Sequence, residues 1–356
     1  VSEIDLTKPT ARFEDLRGIL RYVPQFRQRV FVIAIDGALL HQSGFASLLQ
    51  DVAVLQSLNI EVVLVFGARA QIRDLAVKRG VTLSSDDGMG RTDTATLEVA
   101  IEAITRQSSE LMADLTALEL PVVISNALVV HPAGVIDGVD FEFTGRIERV
   151  DAESLGVLLK ADIIPVLPPL GYDGRGATLR LNSDAVAVEV ALALNAAKVI
   201  FVSEAGLSNL DGSRLAQLSV ADAREIYKRK EARHDVNLLS KLRYGALACQ
   251  EGVARVHIVD GTQEEALLAE LFSNEGVGTM IHADDYQQIR KARSSDVPEL
   301  LSMMKQSMDD AALVPRTREQ IQSRIKDFFV LETDGNPIGC VAVHSYEEEG
   351  RKVAEL

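Results

Sequence analysis

Short runs of β-branched and aliphatic residues set the rhythm of roughly the first 280 residues, at 30–35, 62–66, 122–125, 163–167, 199–202 and 256–259. None of these runs alternates apolar with polar positions. Each therefore predicts a strand covered on both faces, as in a parallel sheet. Between them, apolar residues recur at helical spacing over 45–58, 72–78, 94–112, 152–159, 184–194, 220–230 and 238–250. Strands alternating with helices predict an α/β fold, a three-layer α/β/α sandwich with a mainly parallel sheet. One stretch breaks the pattern. VDFEFTGRIERVD (139–151) alternates by two and predicts a β-hairpin turning at Thr144-Gly145, after the turn-rich PAGVIDG. Ahead of the first strand, 13–28 places Phe13, Leu16, Ile19, Leu20 and Val23 on one helical face, with a kink expected at Pro24. Such a helix outside the sandwich is a packing or oligomer element.

The rhythm restarts after His282. QQIRKARSSDVPELLSMMKQSM predicts a strand, an N-cap at Ser295 or Asp296, and a helix; a second helix follows near 319–325. FFVLETDGNPIGCVAVHS predicts two strands joined at Asp334-Gly335-Asn336-Pro337, and VAEL opens a further strand whose pairing partner is expected to be missing. The expected organisation is an arm at 1–29, the sandwich at 30–284 and a second, α+β domain at 285–356.

Composition narrows the function classes. The 356 residues are 47% hydrophobic and 25% charged, ordinary for a soluble globular chain. A formal charge of −15 with no Lys/Arg cluster argues against nucleic acid as a partner and favours solubility or a cationic small ligand. Two distant cysteines, Cys249 and Cys340, make neither a disulfide framework nor a metal site, so no metal and a reducing, cytoplasmic setting are expected. No apolar run reaches transmembrane length, so no membrane role is expected.

The candidate chemistry sits at strand ends. FVIAIDGALLHQSG reads as a buried strand entering a tight glycine turn, like the front of a phosphate site, yet it carries no lysine. Asp184 opens an apolar helix, either as a carboxylate organising a phosphoryl site or as a dipole-favoured acid. Lys241 reaches the same sheet edge or is a solvated lysine. His257 on a strand, Glu270 on a helix, and Gly276, Gly278 and Thr279 in a glycine loop supply a carboxylate, an imidazole and open carbonyls, which suit a guanidinium. The alternative for His257 is a satisfied core histidine. Arg316, in LVPRTREQI, suits bidentate binding of a carboxylate.

Together these motifs resemble bacterial N-acetylglutamate synthase over nearly the whole chain. The resemblance is carried by FVIAIDGALL, VVLVFGARAQI, TDTATLEVA, HPAGVIDGVDFEFTGRIERVD, VHIVDG, LLAELFSNEGVGTMI and LVPRTREQI. It implies an amino-acid kinase-like domain that binds arginine and assembles a homo-oligomer, followed by a GNAT-type acetyltransferase domain. That second domain would move acetyl from acetyl-CoA, the co-substrate, to L-glutamate in the first step of arginine biosynthesis. It further implies that Tyr22, His257, Glu270, Gly276 and Thr279 hold the regulatory L-arginine. Arg316 and the Val314 backbone would hold the glutamate carboxylate, with Glu355 as the candidate base. The kinase lysine position is Ala34 here and the turn is Asp36-Gly37, which disfavours ATP; Asp184 and Lys241 match kinase catalytic positions and stand as a kinase remnant. A family arginine falls at Gly90, with Arg91 shifted by one, against an N-acetylglutamate site in the first domain. The family's acetyl-CoA loop is expected beyond Leu356, so the 356-residue chain is expected to be inactive by itself. An ATP-dependent N-acetylglutamate kinase and a non-catalytic arginine sensor are the competing readings.

Overall fold

The computed structural model describes residues 23–355 apart from 86–88, 209–211, 230–235, 274–275, 284–286, 310–315, 334–335 and 349–350. The chain forms two compact units, residues 1–283 and 284–356.

In the first unit the strands are Val30–Ile35 (β1), Glu61–Phe66 (β2), Val122–Ile124 (β3), Leu128–Pro132 (β4), Val135–Ile136 (β5), Val139–Asp140 (β6) and Gly145–Val150 (β7). They continue with Ile164–Leu167 (β8), Leu170–Tyr172 (β9), Thr178–Arg180 (β10), Lys198–Ser203 (β11), Gln217–Ser219 (β12), Arg255–Asp260 (β13) and Thr279–His282 (β14). Eight of them make one sheet in the order β12-β14-β13-β11-β1-β2-β8-β3. Every neighbouring pair is parallel except β13 with β14. The unbroken apolar strands explain themselves in the packing. Successive residues of β1 face opposite sides, so Phe31, Ile33 and Ile35 enter one buried cluster and Val32 and Ala34 the other. The first cluster is covered by helices Phe45–Ser57, Arg69–Arg79, Thr94–Ala117 and Ala266–Phe272; the second by Ala152–Lys160, Ser183–Ala193, Val220–Arg229 and Val236–Gln250. These are the layers of the expected sandwich. Between β1 and β11 the strand order reverses, which opens a crevice at their carboxyl ends.

The expected hairpin is corrected. Thr144-Gly145 is not its turn. The two-residue loop is Asp137-Gly138, both at positive φ (50° and 80°), and it joins β5 to β6. β7 instead pairs antiparallel with β4 across a small second sheet, β10-β9-β4-β7. Gly145 is small for a different reason: a Cβ there would lie 2.8 Å from Leu181 and 2.9 Å from Leu179. Of the expected N-terminal helix only residues 23–28 are described. They make one helical turn, Arg27 N donating to Val23 O at 2.9 Å.

In the second unit, Gln287–Lys291 (β15), Phe328–Thr333 (β16) and Asn336–Ala342 (β17) form an antiparallel sheet. Its core is Val297, Leu300, Met304, Ile321, Phe328 and Val330. Helices Val297–Asp309 and Arg318–Ser323 supply the first four of these. The final strand is partnered, contrary to expectation: Arg351–Glu355 (β19) pairs antiparallel with His344–Glu348 (β18).

Candidate functional site

The first candidate cluster is built on β13. His257 lies mid-strand between β11 and β14, and Glu270 projects from the helix Ala266–Phe272; both are buried. His257 Nδ1 lies 2.6 Å from Glu270 Oε1, and its Nε2 lies 3.0 Å from Lys198 Nζ. An ammonium only donates, so Nε2 accepts and Nδ1–H donates to Glu270, which fixes the neutral tautomer. The other Glu270 oxygen accepts the backbone N–H of Val277 and of Gly278, each at 2.7 Å. Burial pushes the Glu270 carboxyl upward, but the His257 hydrogen bond, with the two backbone donors, outweighs it and holds the carboxyl below the ordinary glutamate value. Gly276 sits at φ 60°, and a Cβ there would be 2.6 Å from Glu270 Oε2. At Gly278 a Cβ would be 2.4 Å from the Ile258 carbonyl oxygen. Both glycines let the loop wrap the carboxylate.

One expectation about this cluster changes. The Gly276 and Gly278 carbonyls do not stand open: Arg214 Nη1 donates to them at 2.7 and 3.3 Å. Thr279 is fully buried, and its hydroxyl donates to the Leu215 carbonyl. Lys198 was missed by sequence reasoning, although a lysine opening the apolar run KVIFVS is a readable oddity. It is 7% exposed, and its ammonium also lies 5.2 Å from the Phe26 ring. Tyr22 lies outside the described residues.

The second cluster occupies the crevice between β1 and β11. The β1 chain end turns at Asp36-Gly37, where a Cβ on residue 37 would sit 2.4 Å from the Gly67 carbonyl oxygen. Lys241, from the helix Val236–Gln250, is 1% exposed. Its Nζ lies 2.7 Å from Asp36 Oδ1, 3.2 Å from Asp184 Oδ1 and 3.1 Å from Asn237 Oδ1. Ser240 Oγ donates to Asp184 Oδ2 at 2.6 Å, and Asn237 Nδ2 to Asp36 Oδ2 at 2.5 Å. The two expected kinase-remnant residues do meet, and Lys241 is not a surface lysine. Two buried carboxylates share one buried ammonium, with opposite consequences. Burial raises the Asp36 carboxyl despite Lys241, whereas Lys241, which burial alone would lower, is raised by Asp184 and Asp36. The crevice beside them is small, about 150 Å³, and Arg69, Arg73 and Arg180 also line it. Arg91 is elsewhere: its Nε donates to Glu142 at 2.9 Å, on the segment after β6.

In the second unit Arg316 precedes the helix Arg318–Ser323. Thr317 caps that helix in a reciprocal box, its N–H donating to Gln320 Oε1 at 2.8 Å and its hydroxyl accepting from Gln320 N at 3.3 Å. The half-buried Arg316 guanidinium stacks 5.8 Å from the ring of Phe328, while Arg318 is exposed. Val314 lies outside the described residues, and so does the side chain of Glu355, whose backbone closes β19. Among the described residues no group of His, Cys, Asp or Glu is placed to hold a metal, and no helix is long and apolar enough to cross a membrane.

Residues 29–260 match the model of the amino acid kinase family. The amino-acid acetyltransferase of Shewanella oneidensis is 33% identical over 358 aligned positions, covering 96% of this chain and 80% of that protein. N-acetylglutamate synthase from Neisseria gonorrhoeae, solved with coenzyme A and L-arginine, is 31% identical, with a TM-score of 0.84 over 94% of this chain and 80% of that one. The same enzyme solved with coenzyme A and N-acetyl-glutamate gives a TM-score of 0.72 over 97% and 80%. A kinase-type sandwich continuing into a second unit, and the same relatives aligned across both, assign the chain: it belongs to the amino-acid acetyltransferases, the N-acetylglutamate synthases.

Proposed function

We propose that the protein forms N-acetyl-L-glutamate from acetyl-CoA and L-glutamate, and that its first unit is the sensor through which L-arginine regulates that step. One observation carries the sensor: a buried, ionised Glu270 held by His257 and a glycine loop, in a chain whose Neisseria relative was solved with L-arginine. A guanidinium needs an anionic acceptor with fixed geometry, and Glu270 has both attributes. In the transfer itself, Arg316 is suited to the glutamate carboxylate, pre-oriented by Phe328 and the capped helix. A base, with Glu355 as the candidate, takes the ammonium proton; the freed amine attacks the thioester carbonyl, and coenzyme A leaves as the thiol. We place the protein in the cytoplasm, where the free thiols of Cys249 and Cys340 persist, and assign the arm at 1–29 to a homo-oligomer contact. The amino-acid kinase-like sensor is assigned to 30–284 and the GNAT-type domain to 285–356.

The test is calorimetric titration of L-arginine into the folded chain and into Glu270→Ala. Saturable binding that the substitution abolishes supports the sensor; a folded wild type that takes up no heat removes it. A second reading, an ATP-dependent N-acetylglutamate kinase, draws on the Asp184–Lys241 pair at 3.2 Å. It is opposed by Asp36, which engages the same ammonium at 2.7 Å, and is decided by whether N-acetylglutamate stimulates ADP release.

A further inference from the structure

The acceptor carbonyls of the glycine loop are already occupied by a guanidinium from this chain. We propose that Arg214 is a tethered competitor for free L-arginine, setting the affinity of the sensor by occupying the Gly276 and Gly278 carbonyls that a ligand guanidinium would use. The inference rests on the sensor reading above. Arg214 is placed there by the edge of the sheet. β12 runs parallel to β14, Met280 N donates to Ala216 O at 2.9 Å, and the Thr279 hydroxyl donates to Leu215 O. These bonds zip residues 215–219 against 279–282 and leave Arg214 opposite the loop. Its Nη1 then reaches Gly276 O at 2.7 Å and Gly278 O at 3.3 Å.

Two features make it a competitor rather than a fixed strut. The loop it holds is the one whose amides of Val277 and Gly278 grip Glu270, so the guanidinium and the anionic acceptor share a single short turn. Arg214 is itself exposed, unlike Lys198, His257 and Glu270. A charge-assisted bond made by an exposed arginine is weak in net terms, because water replaces it readily. Displacement by an incoming guanidinium therefore lowers ligand affinity by a modest factor without blocking the site. The length of the tether, not the strength of the bond, keeps the competitor near the loop at high effective concentration.

The experiment titrates L-arginine by calorimetry into the full chain as wild type, Arg214→Ala and Arg214→Lys, each checked for folding by circular dichroism. The expected result is tighter binding by Arg214→Ala, about two- to tenfold, the range of one exposed charge-assisted bond. Arg214→Lys keeps the charge and loses the planar fork, so an intermediate gain is expected. A lysine variant equal to wild type beside a tighter alanine variant would mean long-range repulsion and overturn occupancy. Unchanged or weaker binding by Arg214→Ala, with wild type binding normally, overturns the inference and leaves the sensor standing. No binding by any of the three folded chains overturns both.

Discussion

Replacing Lys241 tests the reading of the crevice as a closed ionic knot. The side chain is 1% exposed and bridges two buried carboxylates at 2.7 and 3.2 Å. Lys241→Met keeps most of the volume and removes the cation, leaving the buried Asp36 and Asp184 without it. Breaking a buried pair from one side costs about 3–5 kcal/mol. Asp36→Asn should behave quite differently. It removes the surplus negative charge and leaves Lys241 one-to-one with Asp184. The loss is about one hydrogen bond, near 1 kcal/mol, because the amide turns a donor toward Asn237 Nδ2. The pH dependence separates them further. Asp36 is raised in the folded state, so its stabilising share is complete below the unfolded aspartate value of 3.8 and is lost as pH rises through the folded one. The penalty of Lys241→Met should thus be largest at pH 7 and smaller at pH 5, where Asp36 takes a proton more easily. Urea titrations followed by far-UV circular dichroism at both pH values measure this. A Lys241→Met penalty under about 1 kcal/mol, or an Asp36→Asn penalty equal to it, refutes the knot.

Three further outcomes are expected. Burial raises Asp51 to about 6, so its ionisation opposes folding once pH rises from 3.8 through about 6; Asp51→Asn should gain about 1–2 kcal/mol at pH 7 and nothing at pH 4, read by thermal unfolding. Glu270 is lowered, so its stabilisation is complete above 4.5 and fades as pH falls through the lower, folded value; Glu270→Gln should lose stability at pH 7 and converge with wild type in acid, and parallel curves would contradict the assigned contacts. Gly37→Ala drives a Cβ to 2.4 Å from a backbone oxygen, which cannot move aside as a side chain would, and should cost about 2 kcal/mol or more in denaturant midpoint.

The sandwich was legible because parallel strands covered on both faces leave unbroken apolar runs, and all six runs became strands of the one eight-stranded sheet. The hairpin was misread because period-two alternation continues through Thr144-Gly145, while the turn chemistry lay upstream in Asp137-Gly138, where positive φ is needed. His257 and Glu270 were found by residue type near a glycine loop. Lys198 was passed over because a lysine at the edge of an apolar run ordinarily points to water, and only the packing of β11 between β1 and β13 turns it inward. Arg214 was invisible for a further reason. Its partners are backbone carbonyls more than sixty residues away, and no side-chain pattern encodes such a contact.

The two clusters also bear on how a kinase-type sheet suits the sensor proposed above. Its usual crevice lies where the strand order reverses, at the carboxyl ends of β1 and β11, and there the chain supplies its own occupants. Asp36 engages the Lys241 ammonium at 2.7 Å, so that cation already has a carboxylate of the chain as its partner. Lys198, by contrast, is the first residue of β11, and β11 runs parallel to β1, so the His257–Glu270 cluster begins at the opposite, amino end of the same strands. A ligand there touches none of Asp36, Asp184 or Lys241. What the two ends share is β11 and β13, in-register strands with fully buried Val199, Phe201, Val256 and Ile258. On the proposed reading, the loop that trades one guanidinium for another lies at the other end of these strands from Lys241. Regulation then requires that the exchange at residues 276–279 favour one state of the assembly over another, since a ligand shifts an equilibrium only by its differential affinity.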